Sequence, residues 1–140
     1  MLTFGLALIG RIPGRSQTFT VLHNFTGGAA GGAIAGFSGG LILDPEGNLY
    51  GMTADGALSH GLVFKLDRRG VYSVLYNFEG GDGMNPIAGL FRDPAGNLYG
   101  TTPSGGASGH GVVFKLDANG VETVLHSFAG GADGGTPRRA

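Results

Sequence analysis

The chain has 140 residues, 41% of them hydrophobic, which is enough for the core of one domain and argues against bulk disorder. Glycine supplies 30 residues, about three times the usual share, without a Gly-X-Y period, so collagen is excluded and many tight turns between short strands are indicated. The net charge of −1 leaves no basic face for nucleic acid, and the lack of cysteine excludes disulfides, cysteine-ligated zinc and thiol catalysis.

The first segment, residues 1–17, contains a short apolar run, Leu2–Ile9, that resembles the hydrophobic region of a signal peptide. The run is too short to span a bilayer, so no transmembrane helix is predicted. No basic residue precedes it, and no small-x-small cleavage pattern follows it. The segment therefore fits a working signal peptide, a truncated or wrongly chosen start, or an apolar terminus without a role.

From Thr18 onward the chain repeats itself with a period of about 50 residues, within the range of propeller blades. Two motifs carry the repeat, one at residues 21–25, 74–78 and 124–128 and the other at residues 61–67 and 111–117. The repeat divides the rest of the chain into the last strand of a preceding unit with a Gly-rich connector (18–40), a first unit (41–89), a second unit (90–128) and the start of an incomplete further repeat (129–140).

Each unit is predicted to contain four strands. They are Leu41–Leu43, Asn48–Thr53, Leu62–Leu66 and Val71–Phe78 in the first unit, and Leu90–Arg92, Asn97–Thr102, Val112–Leu116 and Val121–Phe128 in the second. No window shows a helical period with caps. The predicted fold class is all-β, with tandem four-stranded antiparallel units in a partial propeller-like array.

Strands one and two, and strands three and four, are joined by turns that begin with Asp and end with Gly. This spacing fits a type I turn closed by a left-handed residue, with the Asp side chain accepting local backbone N–H groups. The residues interpreted as structural on this basis are Asp44, Gly47, Asp67, Gly70, Asp93, Gly96, Asp117 and Gly120. Calcium binding is less favoured, because the loops lack the alternating oxygen ligands and distal Glu of an EF-hand.

Alternation along the fourth strand of the first unit predicts two faces. Tyr72, Val74, Tyr76 and Phe78 would point to one side, and Val71, Ser73, Leu75 and Asn77 to the other. Both faces carry apolar residues, as expected for a sheet stacked between neighbours. The row from Tyr72 to Phe78, or its counterpart in the second unit, is expected to remain uncovered until other repeats or copies of the chain cover it.

Three residues are ligand candidates. His60 and His110 stand at equivalent places before the third strand, which suggests a metal or ligand at one rim, although repeat equivalence alone also explains them. Phe37, in the irregular first connector, is the loop aromatic that could stack on a glycan. His23 and His126 take the place of Tyr76, which favours packing over ligation.

No catalytic residue, metal ligand set or cofactor is predicted. The Gly-rich runs are followed by no helix and contain no Lys-Ser/Thr pair, so they do not match phosphate-binding loops. No serine has the context of a nucleophile elbow, which leaves a hydrolase triad without support.

The segments 93–102, 111–117 and 124–128 resemble the bacterial choice-of-anchor tandem repeat family, also called the GloVer repeat. The resemblance extends from Thr18 to Pro137. It implies a many-repeat protein on or outside the cell, named for the variety of its C-terminal anchoring signals, without an established enzymatic activity.

The first copy departs from the pattern of that family. Its connector, Gly27–Gly40, is longer than the corresponding Gly80–Gly89 and lacks the Asn85-Pro86 element. No C-terminal anchoring signal stands in the sequence, which leaves surface attachment of the chain without a sequence feature to support it.

These features predict a non-catalytic extracellular or cell-envelope repeat protein that acts as a scaffold, adhesion or ligand-binding module, with a glycan or a surface protein as a further partner. One alternative is a propeller enzyme, a glycan lyase or hydrolase with a loop-rim site; another is a gene fragment without independent function. An enzyme would bring together polar groups from different units with perturbed pKa values. A scaffold would instead show turn residues satisfied locally.

Overall fold

The structure, a computed structural model, describes residues 18–27 and 39–135. The strands form two antiparallel four-stranded sheets, each with its strands in sequence order. Sheet 1 contains β1 (Ile42–Leu43), β2 (Leu49–Thr53), β3 (Leu62–Leu66) and β4 (Tyr72–Asn77), and sheet 2 contains β5 (Phe91–Arg92), β6 (Leu98–Thr102), β7 (Val112–Leu116) and β8 (Glu122–Ser127). A 3-10 turn at Gly131–Asp133 follows. The predicted all-β class and tandem four-stranded units are confirmed.

The four Asp-x-x-Gly turns end on glycines in the left-handed region. Their φ angles lie between 83° and 90°, at Gly47, Gly70, Gly96 and Gly120. Each of these glycines donates its N–H to the carbonyl of the Asp three residues earlier, at 2.8 to 3.0 Å. Since a side chain with a branched Cβ is strained at such angles, the turn glycines fix where each hairpin closes.

A β-bulge interrupts the last strand pair of each sheet. Val63 pairs with Tyr76 but Phe64 pairs with Val74, so Leu75 is the extra residue. The prediction that Tyr72, Val74, Tyr76 and Phe78 share one face is therefore wrong, because an inserted residue shifts the alternation. The same shift occurs in sheet 2, between Val113 and Phe114.

Each sheet has two chemically different faces. We call the first the leucine face; it carries Leu41, Leu49, Phe64 and Leu66 in sheet 1 and Leu90, Leu98, Phe114 and Leu116 in sheet 2. We call the second the tyrosine face; it carries Ile42, Tyr50, Met52 and Val63 in sheet 1 and Phe91, Tyr99, Thr101 and Val113 in sheet 2.

The core of the described residues forms where the tyrosine face of sheet 1 packs on the leucine face of sheet 2. Its fully or nearly fully buried members are Tyr50, Met52, Val63, Phe78, Leu90, Leu98, Val112, Phe114 and Leu116. Phe78, from the end of the fourth strand, meets the Phe114 ring edge to face at 5.1 Å. Of the two rows expected to remain uncovered, the row of the first unit is thus covered at Phe78, which is 0% exposed. A Cβ added at Gly100 would come within 2.7 Å of the Phe114 ring, so this close approach requires glycine.

Candidate functional site

The two candidate histidines lie at equivalent places but each belongs to its own loop. The His60 imidazole lies over Gly80, and the His110 imidazole lies over Gly130, where an added Cβ would be 3.0 Å from Nε2. The His60 carbonyl also accepts the N–H of Asn85 at 2.8 Å. Each histidine therefore packs on the glycine that follows the fourth strand of its unit. The third ligand candidate, Phe37, lies outside the described residues.

The other two histidines make aromatic contacts within the fourth-strand motif. His23 stacks on Tyr72, with ring centroids 4.0 Å apart and planes 4° from parallel. His126 is exposed, contacts Phe128 edge to face at 4.7 Å, and lies 3.5 Å from Asp133 Oδ2 through its Nε2.

The turn carboxylates accept hydrogen bonds from their own turns. Asp44 is the most enclosed of them, at 5% exposure. Its oxygens accept the backbone N–H and the side-chain amide of Asn48, both at 2.8 Å, and the Tyr50 hydroxyl at 3.0 Å. Burial opposes ionisation of Asp44, but these hydrogen bonds outweigh it and hold its pKa at about 2.

The equivalent turn of the second unit repeats this arrangement. Asp93 accepts the backbone N–H and amide of Asn97 and the hydroxyl of Tyr99. Asp67 and Asp117 each accept two backbone N–H groups at 2.9 Å, from the residues two and four positions later. These carboxylates therefore stabilise their own hairpins, because their oxygens accept the hydrogen bonds described above.

One cluster does bring titratable groups together from both units. The Tyr76 hydroxyl donates to Asp82 Oδ2 at 2.5 Å. Glu122, on β8, lies close to both: burial raises its pKa to about 7, and the charge of Asp82 adds to the rise. Burial, the hydrogen bond to Asp82 and the charges of Asp82 and Glu122 likewise raise the pKa of Tyr76. Glu122 Oε1 is buried and has no hydrogen-bond partner among the described residues.

Neither Asp82 nor Glu122 was predicted from the sequence as a site residue. A signal was present for Glu122, which occupies the position of Tyr72 in the preceding unit and is thus a carboxylate where the repeat has an aromatic residue. For Asp82 the sequence offered only a Gly-rich connector.

Two cavities lie against the leucine and tyrosine faces. The smaller, of about 210 Å³, opens between Tyr50 and the turns of sheet 2. It contains two cations over one ring, Lys65 Nζ at 5.8 Å and the Arg92 guanidinium at 5.7 Å from the Tyr50 centroid. Such cation–π contacts stabilise the packing of the two sheets without requiring a ligand.

The larger cavity, of about 340 Å³, is apolar. It is lined on one side by Phe19, Leu22 and Phe25, and on the other by Leu41, Leu49 and Leu66 of the leucine face of sheet 1, and it is open to solvent. We call residues 18–25 the leading segment. The leading segment lies across this leucine face but belongs to neither sheet.

Neither a metal centre nor a membrane helix is found in the described parts of the chain. Among residues 18–27 and 39–135, no three His, Asp or Glu side chains gather closely enough to hold a metal ion. The same residues contain no helix that is long and apolar enough to cross a bilayer.

Comparison with known proteins supplies a family. No curated protein and no solved structure matches the chain significantly. Residues 5–140 match the family described as the Gloeobacter/Verrucomicrobia repeat, which agrees with the GloVer resemblance of the turn and strand motifs. Because the match covers nearly the whole sequence, and the structure shows the tandem four-stranded units, the chain belongs to the Gloeobacter/Verrucomicrobia repeat family.

Proposed function

We propose that this repeat protein is a non-catalytic module of an extracellular or cell-envelope protein, acting as a scaffold, adhesion or ligand-binding element. The observation that carries the proposal is the contact between its two units. Side chains of Tyr50, Met52 and Val63 bury the leucine face of the next unit, while the turn carboxylates are engaged by their own backbone. The apolar side chains thus stack the two units, and the turn carboxylates stabilise the hairpins.

The partners proposed are other repeat units, including copies of the chain, and a glycan or a surface protein. Sheet 2 supports the first of these, because its tyrosine face has no cover among the described residues. Phe91 on that face, in the edge strand β5, is 65% exposed, and Leu125, in the opposite edge strand β8, is 52% exposed. An uncovered sheet face that carries exposed apolar groups is a candidate interaction surface.

A glycan lyase or hydrolase is the second candidate function, and one observation favours it. Tyr76, Asp82 and Glu122 come from both units, and a carboxyl with a pKa of about 7 is suited to general acid catalysis near neutral pH. The position of the cluster argues against this function, since neither cavity described above is lined by any of the three residues.

Incubation of the purified chain with a panel of neutral and anionic polysaccharides separates the two functions. We expect no new reducing ends and no unsaturated products above the buffer blank, and the same result for Glu122→Gln as for the wild type. If the wild type released product and the Glu122→Gln variant did not, the result would contradict the non-catalytic function and support the glycan-cleaving enzyme.

The location is tested separately, by fractionating cells of the source organism and probing with an antibody raised against the chain. We expect the protein in the envelope fraction or the medium. Recovery in the cytosol, together with a cytosolic marker, would contradict the extracellular assignment.

A further inference from the structure

The leading segment reproduces the contact between the two units at two separate points. By repeat equivalence Phe25 corresponds to Phe78, and it meets Phe64 edge to face at 5.3 Å, as Phe78 meets Phe114 at 5.1 Å. Two independent matches indicate that the segment occupies the place that the fourth strand of a neighbouring unit would take.

The second match is the pair formed by His23 and Tyr72. His23 corresponds to Tyr76 and Tyr72 to Glu122, and Glu122 lies near enough to Tyr76 for its charge to help raise the pKa of the Tyr76 hydroxyl. The stacked rings therefore hold the leading segment in the register that β4 has on sheet 2.

The segment nevertheless lacks the sheet that a fourth strand needs. β4 pairs along its length with β3, whereas the backbone of residues 18–27 makes no hydrogen bond with another described residue. Val21 and Leu22 are more than half exposed, at 55% and 59%. A segment with unpaired backbone groups is available for pairing with another strand.

The apolar cavity lies where the other strands of such a unit would be. In sheet 2, Leu90 is 8% exposed beneath the tyrosine face of sheet 1, while its equivalent Leu41 is 57% exposed. Leu98 is 3% exposed, while its equivalent Leu49 is only half-buried. Tyr50, Met52 and Val63 are buried in the same cluster as Leu90 and Leu98. Because they lie on β2 and β3, the first three strands of a unit supply this cover.

We propose that the leading segment and the leucine face of sheet 1 form an acceptor site for strands one to three of another repeat unit that lacks its own fourth strand. The leading segment supplies that strand, and the incoming tyrosine face fills the cavity. The proposal rests on the proposed function, because it assumes that units of this family stack on one another.

The register of the composite sheet follows from β3 and β4. There Leu62, Val63 and Phe64 pair with Asn77, Tyr76 and Val74. The repeat equivalents of those three partners are Asn24, His23 and Val21, so a third strand of the Leu62–Leu66 type should pair with them in that order. A complete unit does not fit without displacing the leading segment, since both would occupy the fourth-strand place.

Two probes fused to a soluble carrier test the proposal against the full 140-residue chain. The first probe is residues 39–69, which hold β1 to β3 and the tyrosine face; the second is residues 39–78, which add β4. We expect the first to bind and the second to bind at least about tenfold more weakly. On binding of the first, we expect backbone amides of residues 20–25 to become protected from hydrogen exchange.

Phe25→Ala and Phe128→Ala are the matched variants. Phe25→Ala should weaken binding of the first probe by about tenfold or more, because one buried aromatic contact is lost. Phe128→Ala removes the equivalent ring at the far end of the chain and should leave binding unchanged. Circular dichroism of both variants checks that the two sheets remain folded.

Three results would overturn the proposal: no binding of the first probe, binding without protection of residues 20–25, or tighter binding of the four-stranded probe. The last would mean that a complete unit displaces the leading segment, which is how a second copy of the chain would dock. None of these results bears on glycan cleavage or on cellular location, so the proposed function would stand or fall independently.

Discussion

The two sheets have almost the same sequence pattern, the same strand order and the same bulge, yet they are buried differently. On the leucine faces, Leu90 is buried and Leu41 is exposed. On the tyrosine faces the order reverses, with Tyr50 buried and Tyr99 half-buried. Burial in this molecule is therefore set by what lies next to a unit and only secondarily by the unit's own residues.

The comparison also locates where the stability of the chain resides. One face of each sheet is buried only when a second unit packs on it, which is the general situation in repeat proteins. Substitutions at equivalent positions in the two units should therefore have unequal effects, and each pair below measures that inequality.

The largest difference is expected for Phe78→Ala against Phe128→Ala. Phe78 is fully buried against Phe114, so its removal leaves a cavity between the sheets and should cost about 3–5 kcal/mol. Phe128 is half-buried, so Phe128→Ala should lower the free energy of unfolding by less than about 1 kcal/mol. Urea melts of both variants provide the measurement, and equal losses would mean that the sheets do not depend on their mutual contact.

A smaller effect is expected at the turns. Gly96→Val and Gly120→Val place a β-branched residue at φ angles of 90° and 83° and should each cost about 1–3 kcal/mol. His110→Ala, at an exposed loop residue, should stay within about 0.5 kcal/mol of the wild type. If His110→Ala proved as damaging as the glycine variants in the same melts, the histidine would have a structural or metal-linked role.

The two Asp-Pro turns should differ in the same sense. Asp44→Asn should cost about 1–2 kcal/mol at pH 7, and more than Asp93→Asn, because Asp44 is 5% exposed whereas Asp93 is half-buried. The pKa of Asp44 is lowered to about 2, so its stabilisation is present above pH 3.8 and is lost as the pH falls towards 2. The midpoint temperatures of thermal unfolding of the two variants, measured as the pH is lowered, test this difference. Identical profiles for Asp44→Asn and Asp93→Asn would contradict it.

The smallest effect concerns Glu122 and has the opposite pH dependence. Because its pKa is raised from 4.5 to about 7, its contribution is fully present below pH 4.5 and is lost as the pH rises through 7. Glu122→Gln should therefore stabilise the chain at pH 8, by about 1 kcal/mol once solvent screening of this half-exposed group is allowed for.

Glu79→Gln, at an exposed residue of the same rim, is the control and should show no such gain. Thermal melts at pH 5 and pH 8 give the comparison. A Glu122→Gln variant that is no more stable at pH 8 than the wild type would show that the carboxyl is solvated in the folded chain.

Most of the fold could be predicted from the sequence because the turns carry local information. Asp, Pro and Gly at fixed offsets determine a turn by the φ angles they allow, so Gly47 and Gly96 marked the start of β2 and β6 within one residue. The bulge could not be predicted, because it depends on which residues of β3 face β4. A strict alternation was assumed there, and Leu75 shows that it fails.

The candidate sites were harder to predict because their residues are far apart in the sequence and come together only in the folded chain. The pKa of Glu122 depends on Asp82, from the other unit, and no local pattern links the two. The stack of His23 on Tyr72 likewise joins segments separated by the first connector. Repeat equivalence was the available signal, because it aligns His23 with Tyr76 and Tyr72 with Glu122.

The bulge in the fourth strand has a consequence for how neighbouring segments are joined. Before the bulge, Tyr72 contacts the leading segment on one side of its sheet, and beyond it Phe78 packs on Phe114 on the other side. In strict alternation Tyr72 and Phe78 would lie on the same face. The extra residue thus lets the fourth-strand motif contact both of its neighbours at once.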